Sequence, residues 1–242
     1  MSRTSNAVRN IKYAIIGQML GILASLIGRL AFVKILNAEY LGLSGLFTNI
    51  LSILSLAELG VGTSINYSLY KPLANKDEKK ISALMLIYKK AYTIIGTLIG
   101  LLGISLTPFL HYLVKDLPNI PNIRLIYILF VLNSALSYFF TYKRALIIAD
   151  QKRYIATLYR YGLFIVLTIV QIIALYITRD FFMYLGLQLL FTLLENILIS
   201  HKADKLYPFL KIYKREILSK EDKVQIKRNV MGMICHRIGG VV

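Results

Sequence analysis

YAIIGQMLGILASLIGRLAFVKIL, residues 13–36, carries only two charged side chains, Arg29 and Lys34, in 24 positions. Crossing the roughly 30 Å hydrocarbon core of a bilayer takes about 20 helical residues, so this stretch predicts a membrane-spanning helix. A basic start followed by an apolar run also describes a cleaved signal peptide, but this run exceeds the usual apolar region of about 7–15 residues and lacks a small-residue cleavage site. It reads as a retained helix.

Working outward, five further windows have the same character: 43–67, 91–114, 123–142 (extensible to Ala149), 161–178 and 181–200. In lipid, every backbone N–H and C=O must be satisfied within the protein, which leaves helices or a closed barrel. Barrel strands are short and alternating rather than continuously apolar. The expectation is an all-α membrane protein, with residues 1–200 forming a six-helix transmembrane lobe. Residues 201–228 form a basic connection. Leu206, Phe209, Leu210, Tyr213 and Ile217 recur there at helical spacing among lysines, which suits an amphipathic helix on an anionic leaflet. An apolar run over 229–242 is about half the length of a crossing, so a seventh helix is expected to start there and continue beyond the chain given.

Lys and Arg are distributed unevenly among the loops. Those on one side, which include the amino terminus, hold 23 of the 29 cations, against Lys115, Arg124 and Arg179 on the other. Positive loops stay in the cytoplasm, so the amino terminus is expected inside. The same count accounts for the net charge of +17 without any nucleic acid. With 57% hydrophobic and 17% charged residues and a mean hydropathy of +0.61, the chain is far from a soluble domain.

No metal-binding HExxH, phosphate-binding loop, CxxC pair or nucleophile triad occurs, and Cys235, His111, His201 and His236 show no ligand spacing. No enzyme activity, cofactor or metal is expected. Charge inside the spans is more informative, because an ionised group at a helix centre costs about 3 kcal/mol on insertion scales. At 100° per residue Gln18, Ser25 and Arg29 share a narrow sector of the first helix, with Gly17, Gly21, Ala24 and Gly28 on a second stripe. The glycine stripe suits close helix packing. The polar sector suits a cavity in which Arg29 meets an anionic substrate group, with Glu58 of the second span balancing it; the bland alternative is a structural Arg29–Glu58 pair. Lys34 can snorkel to headgroups, Glu195 can reach the inner interface, and Arg237 sits in the unfinished seventh helix. Pro108 in the third span is expected to shape or kink it.

Tyr40-Leu41-Gly42-Leu43, Gly45-Leu46-Phe47, Leu56-Ala57-Glu58-Leu59-Gly60-Val61-Gly62 and Ser68-Leu69-Tyr70-Lys71-Pro72 resemble the start of a bacterial polysaccharide flippase of the Wzx type. Ala149-Asp150-Gln151-Lys152 with Tyr154, and Cys235-His236-Arg237-Ile238-Gly239, are similar in kind. The family belongs to the multidrug/oligosaccharidyl-lipid/polysaccharide exporter superfamily, whose members place two six-helix lobes around a central cavity. The resemblance implies that this chain is the amino-terminal lobe of such a transporter in the bacterial cytoplasmic membrane. The implied substrate is an undecaprenyl-diphosphate-linked oligosaccharide repeat unit moved outward for capsule, exopolysaccharide or O-antigen assembly. Membrane lipids, a polysaccharide polymerase and glycosyltransferases are the implied partners. The rival readings are a cation-coupled multidrug exporter of the same superfamily and a non-transporting membrane scaffold.

Overall fold

The computed structural model describes residues 3–58, 60–113, 120–214 and 216–239, with the backbone alone for Arg3, Leu56, Ala57, Leu113 and 233–239. The described residues are all-helical, without a strand. In chain order the helices are α1 (Arg3–Leu36), α2 (Ala38–Leu54), α3 (Val61–Asn75), α4 (Glu78–Ser105), α5 (Leu110–Leu113), α6 (Ile123–Phe139), α7 (Thr141–Ala149), α8 (Arg153–Thr178), α9 (Phe181–Leu206), α10 (Phe209–Ile212) and α11 (Lys220–Gly239).

Four of these, α1, α4, α8 and α9, are long and apolar enough to cross a membrane, or five if α6 and α7, which are bent by 45° at Phe140, are taken together as one broken span. In α1, α8 and α9 the most apolar window is only 17% buried, so leucines and isoleucines such as Leu23, Leu30 and Ile173 cover the outer surface. Water penalises contiguous apolar patches of that size; hydrocarbon does not. The arrangement is compatible with a multi-pass membrane protein.

The run 43–67 is not one helix. α2 stops at Leu54, a 3-10 turn follows at Ser55–Glu58, and Gly60 takes a left-handed φ of 80° before α3 begins. Only glycine adopts that conformation cheaply, so the interruption is written into Gly60. Nor does the 91–114 run continue as one helix: α4 ends at Ser105 and Pro108 lies in a separate 3-10 turn, Thr107–Phe109. Proline cannot donate the backbone bond that would extend α4. Lys115 lies outside the described residues.

Connections are short and capped. Asn37 alone joins α1 to α2 at φ 89°, its side chain accepting from the Ala38 amide at 2.8 Å. Asp77 and Asp180 accept from the first-turn amides of Lys80 (3.0 Å) and Phe182 (2.7 Å), satisfying donors that a helix start leaves orphaned.

α1 lies along α8, α8 on α9, α9 on α6, α6 on α4 and α4 on α3, while α7 wedges among α3, α4, α8 and α9. Two separate apolar clusters result. One, at the basic end, joins Leu69, Leu84, Leu146, Ile155 and Ile199. The other joins Phe32, Phe47, Tyr127, Leu175 and Phe181. The two interrupted segments meet at the first cluster, where the Tyr92 hydroxyl donates to Glu58 and the Tyr92 ring lies 6.0 Å from that of Tyr138, two residues before the Phe140 bend.

Segment 201–228 also departs from a single amphipathic helix. α9 extends through it to Leu206, α10 is one turn, and α11 begins at Lys220 and runs on through the expected start of a seventh span. Leu206, Phe209 and Leu210 pack onto the basic-end cluster, as do Leu218 and Ile226, rather than lying free. Lys80 pairs with Asp222 at 2.7 Å and ties α11 to α4.

Candidate functional site

The polar sector of α1 opens into a cavity of about 250 Å³ walled by α1, α2, α6, α8 and α9. Arg29 and Ser25 line it from α1, and Ser44, Thr48, Thr168, Gln171 and Gln188 bring further polar groups. Phe32, Phe130, Phe164 and Tyr184 supply aromatic wall. The glycine stripe explains how α1 gets close enough to α8 to share this wall. A Cβ built on Gly28 would stand 3.0 Å from Thr168 Cγ2, and one on Gly21 2.6 Å from the Tyr161 ring.

Hydroxyl protons in the cavity are mostly engaged. Ser44 donates to Tyr40 O (2.8 Å), Thr48 to Ser44 O (2.7 Å) and Thr168 to Phe164 O (2.8 Å), each back to its own helix. Gln171, buried, donates to Tyr184 O at 3.0 Å. Arg29 is different: it is exposed at the cavity and has no ion pair or hydrogen bond among the described residues. A guanidinium carries five donors and no acceptor, so the unmet chemistry here is donation and positive charge.

Of the other residues singled out in the sequence, Gln18 faces a different, smaller cavity of about 160 Å³ nearer the basic end. There the Tyr161 hydroxyl donates to Gln18 Oε1 at 2.5 Å, and Arg144, Arg153 and Arg160 stand around it. Gln18 lies 11 residues from Arg29, about 16 Å along a helix, so one sector of α1 serves two cavities in series. Glu58 joins neither. It sits half-buried at the α2–α3 interruption, accepting from the Tyr92 hydroxyl, and Tyr88 donates to Gly62 O at 3.2 Å beside it. No ion pair joins Arg29 to Glu58. Gly62 is required for this contact, since a Cβ there would lie 2.8 Å from Glu58 Oε1. Lys34 is exposed near the end of α1. Arg237 belongs to α11, but its side chain lies outside the described residues.

Glu195, expected at the inner interface, instead pairs with Arg144 and links α9 to α7. Other polar contacts were not singled out from the sequence. Thr192 donates to Asn133 Oδ1 at 2.7 Å and Asn196 to Leu136 O at 3.3 Å, making a polar seam between α9 and α6. The usable signal was a lone amide inside an apolar run, as at Gln171, Gln188 and Asn196. Among the described residues no three His, Cys, Asp or Glu side chains converge as a metal site would need. No protein-family model, curated protein or solved structure matches the chain.

Proposed function

We propose that this chain is one six-crossing lobe of a flippase that moves a diphosphate-linked, lipid-borne oligosaccharide across a bacterial cytoplasmic membrane. In this reading α2 and α3 together make the sixth, interrupted crossing, and the basic end faces the cytoplasm. The observation that carries it is the unpaired Arg29 at a polar cavity within an otherwise apolar helix. A guanidinium left without a protein partner at that depth gains most from a mobile anion, and its planar fork suits phosphate oxygens. The resemblance of residues 40–72 to the Wzx family supports the same substrate class. Gln18 and the arginines beside it extend the cationic, donor-rich face toward the basic end, where such a substrate would begin its transit.

The rival reading, export of organic cations, needs a free acid in the cavity. No acid is among the residues lining it, and Glu58 and Glu195, the acids within the apolar windows, are each already held, by Tyr92 and Arg144 respectively. A scaffold without transport activity would tolerate loss of Arg29.

The test is complementation of a deletion strain, comparing wild type with Arg29→Ala and Arg29→Lys at matched protein levels. A charged hydrogen bond contributes about 1.5–3 kcal/mol, so Arg29→Ala should lower surface polysaccharide by at least about tenfold. Lipid-linked oligosaccharide should accumulate on the inner leaflet, and Arg29→Lys should retain part of the activity. Wild-type export by Arg29→Ala would remove the cavity role.

A further inference from the structure

A second basic concavity, of about 420 Å³, lies at the basic end between α4, α7, α9 and the α10 turn, away from both α1 cavities. Lys143 and Asp204 in its wall pair at 2.7 Å and cancel each other. Lys89, Lys211 and Lys214 are exposed and without an acidic partner among the described residues. Ser82 also lines it: it is 2% exposed, and its hydroxyl finds no hydrogen-bond partner. Serine in a helix normally back-bonds to its own turn, so a buried hydroxyl left open beside three free ammonium groups marks a place for an acceptor.

The surroundings identify the acceptor's carrier. α4 becomes continuously apolar at Ala91, directly after Lys89 and Lys90, so the concavity sits where headgroups meet the hydrocarbon. Ile212 and Ile217, which flank its lysines in sequence, are 73% and 76% exposed. Side chains of that kind are costly in water and at ease among acyl chains. Tyr213 completes the wall and takes the Lys79 ammonium over its ring at 5.9 Å. Basic pockets between helices at a membrane face accept anionic lipid headgroups.

We infer that this concavity binds the phosphate of one anionic phospholipid from the leaflet at the basic end, with Lys89, Lys211 and Lys214 holding the charge and Ser82 donating to a phosphate oxygen. The site does not depend on the transport reading. It is a discrete pocket, not the broad amphipathic surface that the spacing of Leu206 to Ile217 suggested.

The experiment is native mass spectrometry of the full chain in neutral detergent, titrated with phosphatidylglycerol, cardiolipin or phosphatidylcholine. One anionic lipid should be retained per chain and phosphatidylcholine should not. A lysine near a charged surface is worth about fivefold in binding, so Lys211→Gln with Lys214→Gln should weaken retention by more than about tenfold. Ser82→Ala, which alters no charge, should weaken it by roughly threefold. Lys220→Gln with Lys223→Gln, an equal charge loss on α11, should change nothing. Equal weakening by both lysine pairs would reduce the effect to general attraction and overturn the site. Displacement by millimolar inorganic phosphate would reassign it to a soluble ligand and overturn the lipid.

Discussion

At the scale of single residues, Tyr161 decides how α1 meets α8. Its ring lies across two glycines one turn apart, with one edge over Gly17 and the other over Gly21, while its hydroxyl is held by Gln18. A methyl at Gly21 would stand 2.6 Å from ring carbon, closer than packed atoms approach. Overpacking of this kind costs about 1–3 kcal/mol. Gly21→Ala should therefore lower the thermal unfolding midpoint in detergent, and most of that loss should vanish in a Tyr161→Ala background; an undiminished loss there would clear Tyr161 of the clash. Much of this was legible from 100° spacing, which separates the glycine stripe from the polar sector. The same rule brings Arg29 and Ser25 to one wall, one turn apart. It placed Gln18 with them, but three turns of rise carry Gln18 to another cavity. Gln171 and Gln188 come from helices whose facing depends on tertiary packing, so local spacing does not group them with Arg29.

At the scale of elements, hydropathy finds an apolar run but averages over a break inside it. Windows 161–178 and 181–200 correspond to parts of single helices, α8 and α9, because nothing in them competes with helix formation. The 43–67 window holds Glu58 and Gly60, and the left-handed φ of Gly60 divides it into α2 and α3. In segment 201–228 the helical spacing spans the end of α9, the one-turn α10 and a non-helical stretch, and Leu206, Phe209 and Leu210 serve the protein's own core while Ile217 stays exposed. The docking of α11 depends on pH through Asp222, whose hydrogen bond from the Lys80 ammonium holds its carboxyl below the usual range. A carboxyl depressed in the docked state binds its proton less well there. The contribution is thus full above the ordinary carboxylate range of about 4 and fades as pH falls through and below it. Both side chains are about one-third exposed, 39% and 32%, so the effect is at most about 1 kcal/mol. Amide-exchange protection in α11 should drop by a few-fold between pH 6 and pH 3, and Lys80→Gln should abolish that drop. A drop of the same size in the variant would assign the effect to other carboxylates.

For the whole molecule, loop charge gives an orientation that can be tested directly. In a Cys235→Ser background, a cysteine replacing Asp180 should react with an impermeant maleimide in intact cells, and one replacing Lys76 should react only after the membrane is opened. The reverse pattern would invert the lobe and place Arg29 nearer the cytoplasm. Two apolar clusters hold the molecule together, and two of its segments are interrupted, at residues 55–60 and at Phe140. Those interruptions adjoin through Tyr92 and Tyr138. The long helices α1, α4, α8 and α9 run unbroken alongside them, so Tyr92 is a single fastening common to both breaks, and losing it would loosen the two segments together.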